Sequence, residues 1–187
     1  MPVQIGVVSI QGDFEKHIEA FSRLGQTARR VREPSDMAGL THLVLPGGES
    51  TTVGLLMQRF GLGAEIRGSA SNGLSIWGTC MGMILMAHDI EGREQYSLDL
   101  LDITVRRNAF GTQVHSFEDD VTFTGIDDPV TGVFIRAPVV TRLGEGVENL
   151  AECQGQIVAV RQGRRLGTSF HPELTEDDSL HRWFLTF

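Results

Sequence analysis

The stretch from Leu74 to Met86 constrains this chain more than any other. An apolar run, Leu74-Ser75-Ile76-Trp77, leads into Gly78-Thr79-Cys80-Met81-Gly82, and a second apolar run, Met83-Ile84-Leu85-Met86, leads out. The first run reads as a buried strand and the second as a helix. Glycines two residues to either side of Cys80 permit a sharp strand-to-helix turn in which neighbouring backbones approach without side-chain collision. Such an elbow lifts Cys80 above the end of a sheet, where a hydrolase would carry its serine. The N-terminus of the following helix favours thiolate at that sulfur. The Met81 N–H is left to donate to an oxyanion. A cysteine packing as a small hydrophobe is the alternative, and the stretch alone does not decide between the two.

The elbow sits in an alternating pattern. Val3–Ile10 is a β-branched run that reads as a buried strand rather than a signal peptide, since no basic region precedes it. Asp13 is an N-cap candidate for a helix carrying Phe14, Ile18 and Phe21 on one face and ending at Gly25. Thr27–Val31 and Leu40–Leu45 are the next strands. Pro46-Gly47-Gly48-Glu49-Ser50-Thr51-Thr52 then turns into a helix marked by Val53, Leu56, Met57 and Phe60, with Ser50 or Thr51 as cap. A further helix is expected over Ala64–Ser71. This rhythm predicts a parallel sheet with helices on both faces. After Ala87, short strands at Ile103–Arg107, Val121–Phe123, Val133–Ile135, Ile157–Val160 and Leu166–Phe170 predict an antiparallel portion. Leu180, Trp183, Phe184 and Phe187 predict a docking helix at the end. The expected fold class is therefore α/β, with a mostly parallel central sheet flanked by helices, an antiparallel portion in the second half, and residues 1–187 as one domain.

Charge and cysteine content narrow the function classes. Lys+Arg number 16 against 24 Asp+Glu, for a formal charge of −8. An acidic chain without a basic run is not expected to hold nucleic acid or an anionic membrane by bulk electrostatics. Arg29-Arg30-Val31-Arg32 reads as a solvated face. No apolar stretch is long enough to span a bilayer, and the two cysteines, Cys80 and Cys153, make no disulfide framework. The expected compartment is cytoplasmic.

A second block supplies a partner for the thiol. In Leu166-Gly167-Thr168-Ser169-Phe170-His171-Pro172-Glu173 an extended chain would put His171 and Glu173 on one face. A carboxylate beside an imidazole fixes its tautomer and stabilises the imidazolium. Cys80, His171 and Glu173 would then form a thiol triad, with His171 taking the thiol proton. His115 is the one rival base. His17 and His88 fall in helical stretches, His42 precedes a strand, and His181 lies on the terminal helix. None of the histidines has metal-ligand spacing to another or to a cysteine.

Together, Pro46-Gly47-Gly48-Glu49-Ser50, Gly78-Thr79-Cys80-Met81-Gly82 and His171-Pro172-Glu173 resemble the class I, or triad, glutamine amidotransferases. Leu45–Thr52, Arg107-Asn108-Ala109-Phe110-Gly111, Gly132–Pro138 and Ser169–Thr175 narrow the likeness to the glutaminase-subunit family of pyridoxal 5′-phosphate synthases. That resemblance implies a Rossmann-like fold and hydrolysis of L-glutamine to glutamate and ammonia, without a metal or cofactor. It implies Cys80 as nucleophile with His171 and Glu173, and contact of glutamine with Gly47, Gly48, Glu49, Arg107, Ile135 and Arg136. Oxyanion donors are expected near Gly47–Gly48 and at Met81. It also implies delivery of ammonia to a (β/α)₈-barrel synthase partner. Met81 departs from the small residue the family often carries there, and the sequence stops at Phe187 where relatives often have a longer tail. A glutaminase for another synthase, such as the imidazole-glycerol-phosphate system, and a scaffold subunit without turnover remain the alternatives.

Overall fold

The structure, a computed structural model, describes residues 2–110 and 116–187. Its elements in chain order are β1 (Ile5–Val8), α1 (Phe14–Arg23), β2 (Ala28–Val31), β3 (His42–Leu45), α2 (Ser50–Arg59), α3 (Leu62–Ser71), β4 (Ser75–Thr79), α4 (Met81–Met86), β5 (Ala87–Ile90), β6 (Leu101–Arg106), β7 (Ser116–Val121), β8 (Val130–Ile135), β9 (Val139–Leu143), β10 (Glu148–Cys153), β11 (Gln156–Gln162), β12 (Arg165–Thr168) and α5 (Ser179–Phe184). The main sheet runs β2-β1-β3-β4-β12-β11-β9-β6-β5, with β10 paired to β11. From β2 to β12 every neighbour is parallel. From β12 through β11 and β9 to β6 the pairings are antiparallel, and β5 lies parallel to β6. The parallel half and the antiparallel portion expected from the sequence are both present.

Alternation along the central strands explains why both faces are covered. Leu43 and Leu45 of β3 and Ile76 of β4 join a core with Val53, Met57, Leu62 and Ile66 from α2 and α3. Val44 and Trp77, one residue out of step, join the opposite core with Phe21 of α1 and Leu180 and Phe184 of α5. Period-two side chains on a sheet buried on both sides demand this arrangement.

The β11–β12 hairpin positions the second half of the site. Gln162 pairs with Arg165 across a short turn, and β12 then inserts beside β4 with Thr168 opposite Thr79. The separate β7–β8 ribbon braces the chain just beyond. Phe117 stacks on Phe134 at 4.7 Å, Phe134 meets Phe170 at 5.4 Å, and the His171 N–H donates to Val133 O at 2.8 Å.

Several local expectations need correction. His88 lies on strand β5, because α4 stops at Met86. Strands β9 and β10 were not foreseen. Val121 ends β7 rather than starting a strand. Asp13 precedes α1 without a side-chain cap bond. The cap of α2 is Glu49, not Ser50 or Thr51: its carboxylate accepts from Thr51 N at 3.2 Å and Thr52 N at 2.8 Å. Pro172–Leu174 forms a 3₁₀ turn, so His171 and Glu173 are not joined by extended chain. Proline is pre-set for the first position of such a turn.

Candidate active site

Three adjacent strands end at one place. Leu45 of β3 is in register with Gly78 of β4, and Thr79 of β4 with Thr168 of β12. Pro46-Gly47-Gly48, Cys80 and the Ser169–Glu173 segment therefore leave the sheet side by side at its carboxyl edge, the usual ligand side of an open α/β sheet.

Cys80 occupies a true elbow. Its φ of 50° and ψ of −105° lie in a region that side-chain-bearing residues rarely adopt. Such a conformation costs on the order of 1–3 kcal/mol and persists only when its surroundings enforce it. Here the Cys80 N–H is clamped to Thr168 O at 2.7 Å. A Cβ on Gly78 would come within 2.6 Å of Gly82 O and Met83 N, and one on Gly82 would overlap the Leu45 carbonyl. The two glycines are thus required by backbone contact between β4, α4 and β3. Cys80 is 8% exposed, with Sγ 4.0 Å from Ile135 O. As the first residue of α4, Met81 has an N–H without a partner inside the helix.

His171 and Glu173 meet through the 3₁₀ turn, with His171 Nδ1 2.7 Å from Glu173 Oε1. Glu173 is 2% exposed and lies behind the ring rather than in the cleft. Burial disfavours charge on His171, but hydrogen bonding and charge from Cys80 and Glu173 outweigh it and push the imidazole up to about 10. The carboxylate holds one side of the ring, and the ring shares the cleft with Cys80. A Cβ on Gly47 would press into the same ring, so Gly47 packs beneath His171 instead of lining the cleft.

Above Cys80 opens a cleft of about 400 Å³. Gly48, Glu49, Met81, Arg107, Ile135 and Arg136 line it, together with Cys80 and His171. Glu49 and Arg107 bring opposite charges to one rim, with Arg107 Nη2 3.9 Å from Glu49 Oε1. A half-exposed pair at that distance contributes ~0–1 kcal/mol, so a ligand's own charges replace it at little cost. The N-cap bonds, Thr52 N–H foremost, hold the Glu49 carboxyl down at about 2 despite partial burial. Glu49 is therefore anionic and retains lone pairs for a further donor. Arg136 and Asn108 both hold positive φ, 45° and 50°, and an Ala109 N–H···O=C Ala137 bond of 3.1 Å ties their two segments together.

Sequence reasoning missed Gln11 and Asn108. Both line the cleft, and Gln11 Oε1 accepts the Glu49 N–H at 3.2 Å. The only available signal for Gln11 was its place in the turn after β1, at the same sheet edge. The rival base His115 lies outside the described residues. Among the described residues no cluster of three or more His, Cys, Asp or Glu could hold a metal ion, and no helix is long and apolar enough to cross a membrane.

Comparison with known proteins gives a consistent set. The model of the SNO glutamine amidotransferase family matches residues 7–187. A pyridoxal 5′-phosphate synthase subunit PdxT of Thermus thermophilus is 53% identical, covering 97% of this chain and 95% of that protein. The protein of the same name from Niallia circulans is 48% identical over 98% of this chain and 96% of its own length. A crystal structure of a glutamine amidotransferase superposes with a TM-score of 0.94 at 50% identity, covering 97% of both chains.

Proposed function

The chain belongs to the SNO glutamine amidotransferase family, and from that premise we propose that residues 1–187 act as a single glutaminase domain that supplies ammonia to a pyridoxal 5′-phosphate synthase. The observation that carries this reading is the His171 ring, held by Glu173 and lining with Cys80 a cleft that bears both signs of charge. Glutamine is zwitterionic at its α-carbon and neutral at its carboxamide. Glu49 receives the ammonium and Arg107, with Arg136, the carboxylate, which aims the carboxamide at Cys80.

The chemistry then follows from the residues. The Cys80 thiolate attacks the carboxamide carbon, and the C=O becomes a tetrahedral oxyanion. Donors at Met81 and in the Gly47–Gly48 segment receive that charge. His171, held charged by its neighbours, passes a proton to the departing nitrogen as the C–N bond breaks, leaving a γ-glutamyl thioester. Neutral His171 next takes a proton from water, which hydrolyses the thioester to glutamate and restores the thiol. Glu173 keeps Nδ1 protonated so that Nε2 does the work. Ammonia passes to the synthase, a (β/α)₈ barrel, in a cytoplasmic complex.

The test is mass spectrometry of the protein quenched during glutamine turnover, with Cys80→Ala as control. A γ-glutamyl adduct on Cys80 and loss of hydrolysis in Cys80→Ala are expected, with Cys153 unlabelled. Undiminished turnover by Cys80→Ala would refute covalent catalysis.

A further inference from the structure

Behind the triad, on the side away from the cleft, two more histidines are buried. His17 of α1 and His181 of α5 are both 0% exposed. His17 Nε2 stands 3.3 Å from Glu173 Oε2 and 3.4 Å from Thr79 Oγ1, and its Nδ1 is 2.9 Å from His181 Nε2. Trp77 walls the pair, its ring centroid 5.6 Å from that of His17 and 4.9 Å from that of His181. Glu173 Oε1 is committed to His171. Among the described residues Glu173 Oε2 has no aligned hydrogen-bond partner, and the His17 ring approaches it to 3.3 Å. A fully buried carboxylate oxygen without a donor is costly.

The ring protons can be assigned by elimination. Burial, with the like charges of His181 and His171, pushes His17 well below the ordinary imidazole range, and burial, reinforced by Arg23 and partly opposed by Asp178 and Asp177, pushes His181 down to about 4. Each ring therefore carries one proton at neutral pH. In one arrangement His181 Nε2–H donates to His17 Nδ1, and the His17 Nε2–H has two oxygens within reach, Glu173 Oε2 at 3.3 Å and Thr79 Oγ1 at 3.4 Å. What remains bare is the lone pair of His181 Nδ1, which has no partner among the described residues. In the other arrangement His17 Nδ1–H donates to His181. A lone pair then faces the carboxylate, and the His181 Nδ1–H is a buried donor without an acceptor. The first puts a donor beside the anion and leaves no N–H without an acceptor in reach, and the second turns a lone pair toward the anion and strands an N–H.

We propose that His17 is a positioning residue for the triad: it donates Nε2–H to Glu173 Oε2, in a tautomer fixed by His181, and so holds Glu173 Oε1 on His171 Nδ1. This rests on the reading of Glu173 as the orienting carboxylate. A carboxylate pinned at both oxygens cannot swing off the imidazole during turnover. In the sequence His17 shows only as a member of a helical stretch, three residues after Phe14 and four before Phe21. That placement explains its burial without revealing the carboxylate beyond it.

The test compares His17→Leu, which fills the space without a donor, with His17→Gln, which restores an N–H at the Nε2 position. Both are assayed as glutaminase in complex with the synthase partner, beside Glu173→Gln. The expected result is a fall of ~10–100-fold in kcat for His17→Leu, KM within about two-fold, and substantial recovery in His17→Gln. Long-range ¹H–¹⁵N spectra of the wild-type protein should place the His17 proton on Nε2, a readout that stands even if His17→Leu does not fold. Full kcat in a folded His17→Leu, no rescue by glutamine, or a proton on Nδ1 would each overturn the proposal. Full activity in Glu173→Gln would instead remove the triad reading itself, so the two failures are distinguishable.

Discussion

Gly47→Ala tests whether His171 is held as tightly as its neighbours imply. A Cβ at position 47 would stand 3.2 Å from His171 Nδ1, 3.4 Å from Nε2 and inside 3.0 Å of Cε1. Carbon–carbon contacts settle at ~3.5–4.0 Å, so either the ring or the loop must retreat by about 1 Å. The loop is blocked from behind, because Gly12 packs so closely on the Gly47 carbonyl that even a Cβ there would overlap it. The ring is tethered by Glu173 at 2.7 Å, but a side chain yields before two backbones do. His171 is therefore displaced relative to Cys80. A shift of that size in a catalytic group costs ~10² in rate. Overpacking of this kind destabilises by ~1–3 kcal/mol. The assay is steady-state glutaminase kinetics with thermal unfolding alongside. The expected outcome is kcat down ~100-fold, KM changed much less, and a folded protein with a lowered Tm. Near-normal kcat in a folded Gly47→Ala would refute the reasoning, since it would mean that the loop gives way and the histidine does not depend on it.

Three further outcomes are expected. Arg107→Ala should weaken glutamine binding by about 1.5–3 kcal/mol by calorimetry on the Cys80→Ala background, and unchanged affinity in both Arg107→Ala and Arg136→Ala would remove the carboxylate assignment. The isolated subunit should be a poor glutaminase, with kcat rising on addition of the synthase. Gly48 holds φ +149°, a conformation that glycine adopts freely, so the 47–48 peptide reorients cheaply, and one oxyanion donor is worth ~10²–10³ in kcat. Full kcat without partner would sink this gate and leave the triad intact. The third outcome concerns pH. His171 is raised in the folded state from 6.5 to about 10 by Cys80 and Glu173 against burial, so its contribution to stability is complete below about 6.5 and is lost as pH climbs through about 10. Urea unfolding should show the stability of wild type relative to Glu173→Gln declining across that window, and a constant or rising difference would contradict the assignment.

The local chemistry of this protein was legible in one dimension. Flanking glycines around Cys80, a Gly-Gly turn after an apolar strand, and histidine two residues from glutamate are short-range patterns, and each dictates its own geometry. They gave the elbow, the parallel half of the sheet and the pairing of His171 with Glu173. The means of that pairing was misjudged, because Pro172 starts a 3₁₀ turn where alternation suggested extended chain. The Glu49 cap was missed for a related reason: glutamate ranks low as a cap, and only the extended backbone before α2 brings its carboxylate back to Thr51 and Thr52.

What the tertiary structure alone decided is which patterns meet. Cys80 and Thr168 are joined because the β11–β12 hairpin inserts beside β4, a pairing between distant parts of the chain that no local periodicity encodes. The cleft rim depends on Arg107 and Asn108 arriving from the end of β6 in the main sheet and Arg136 from the end of β8 in the separate ribbon, with Asn108 and Arg136 in strained backbone. His17 showed only as part of a helical stretch, because a helix position has the same sequence signature whether the side it faces is apolar or a carboxylate. Sequence periodicity reports which way a side chain faces. The partner it finds there is fixed only when α1, α5 and the segment after β12 are packed against one another.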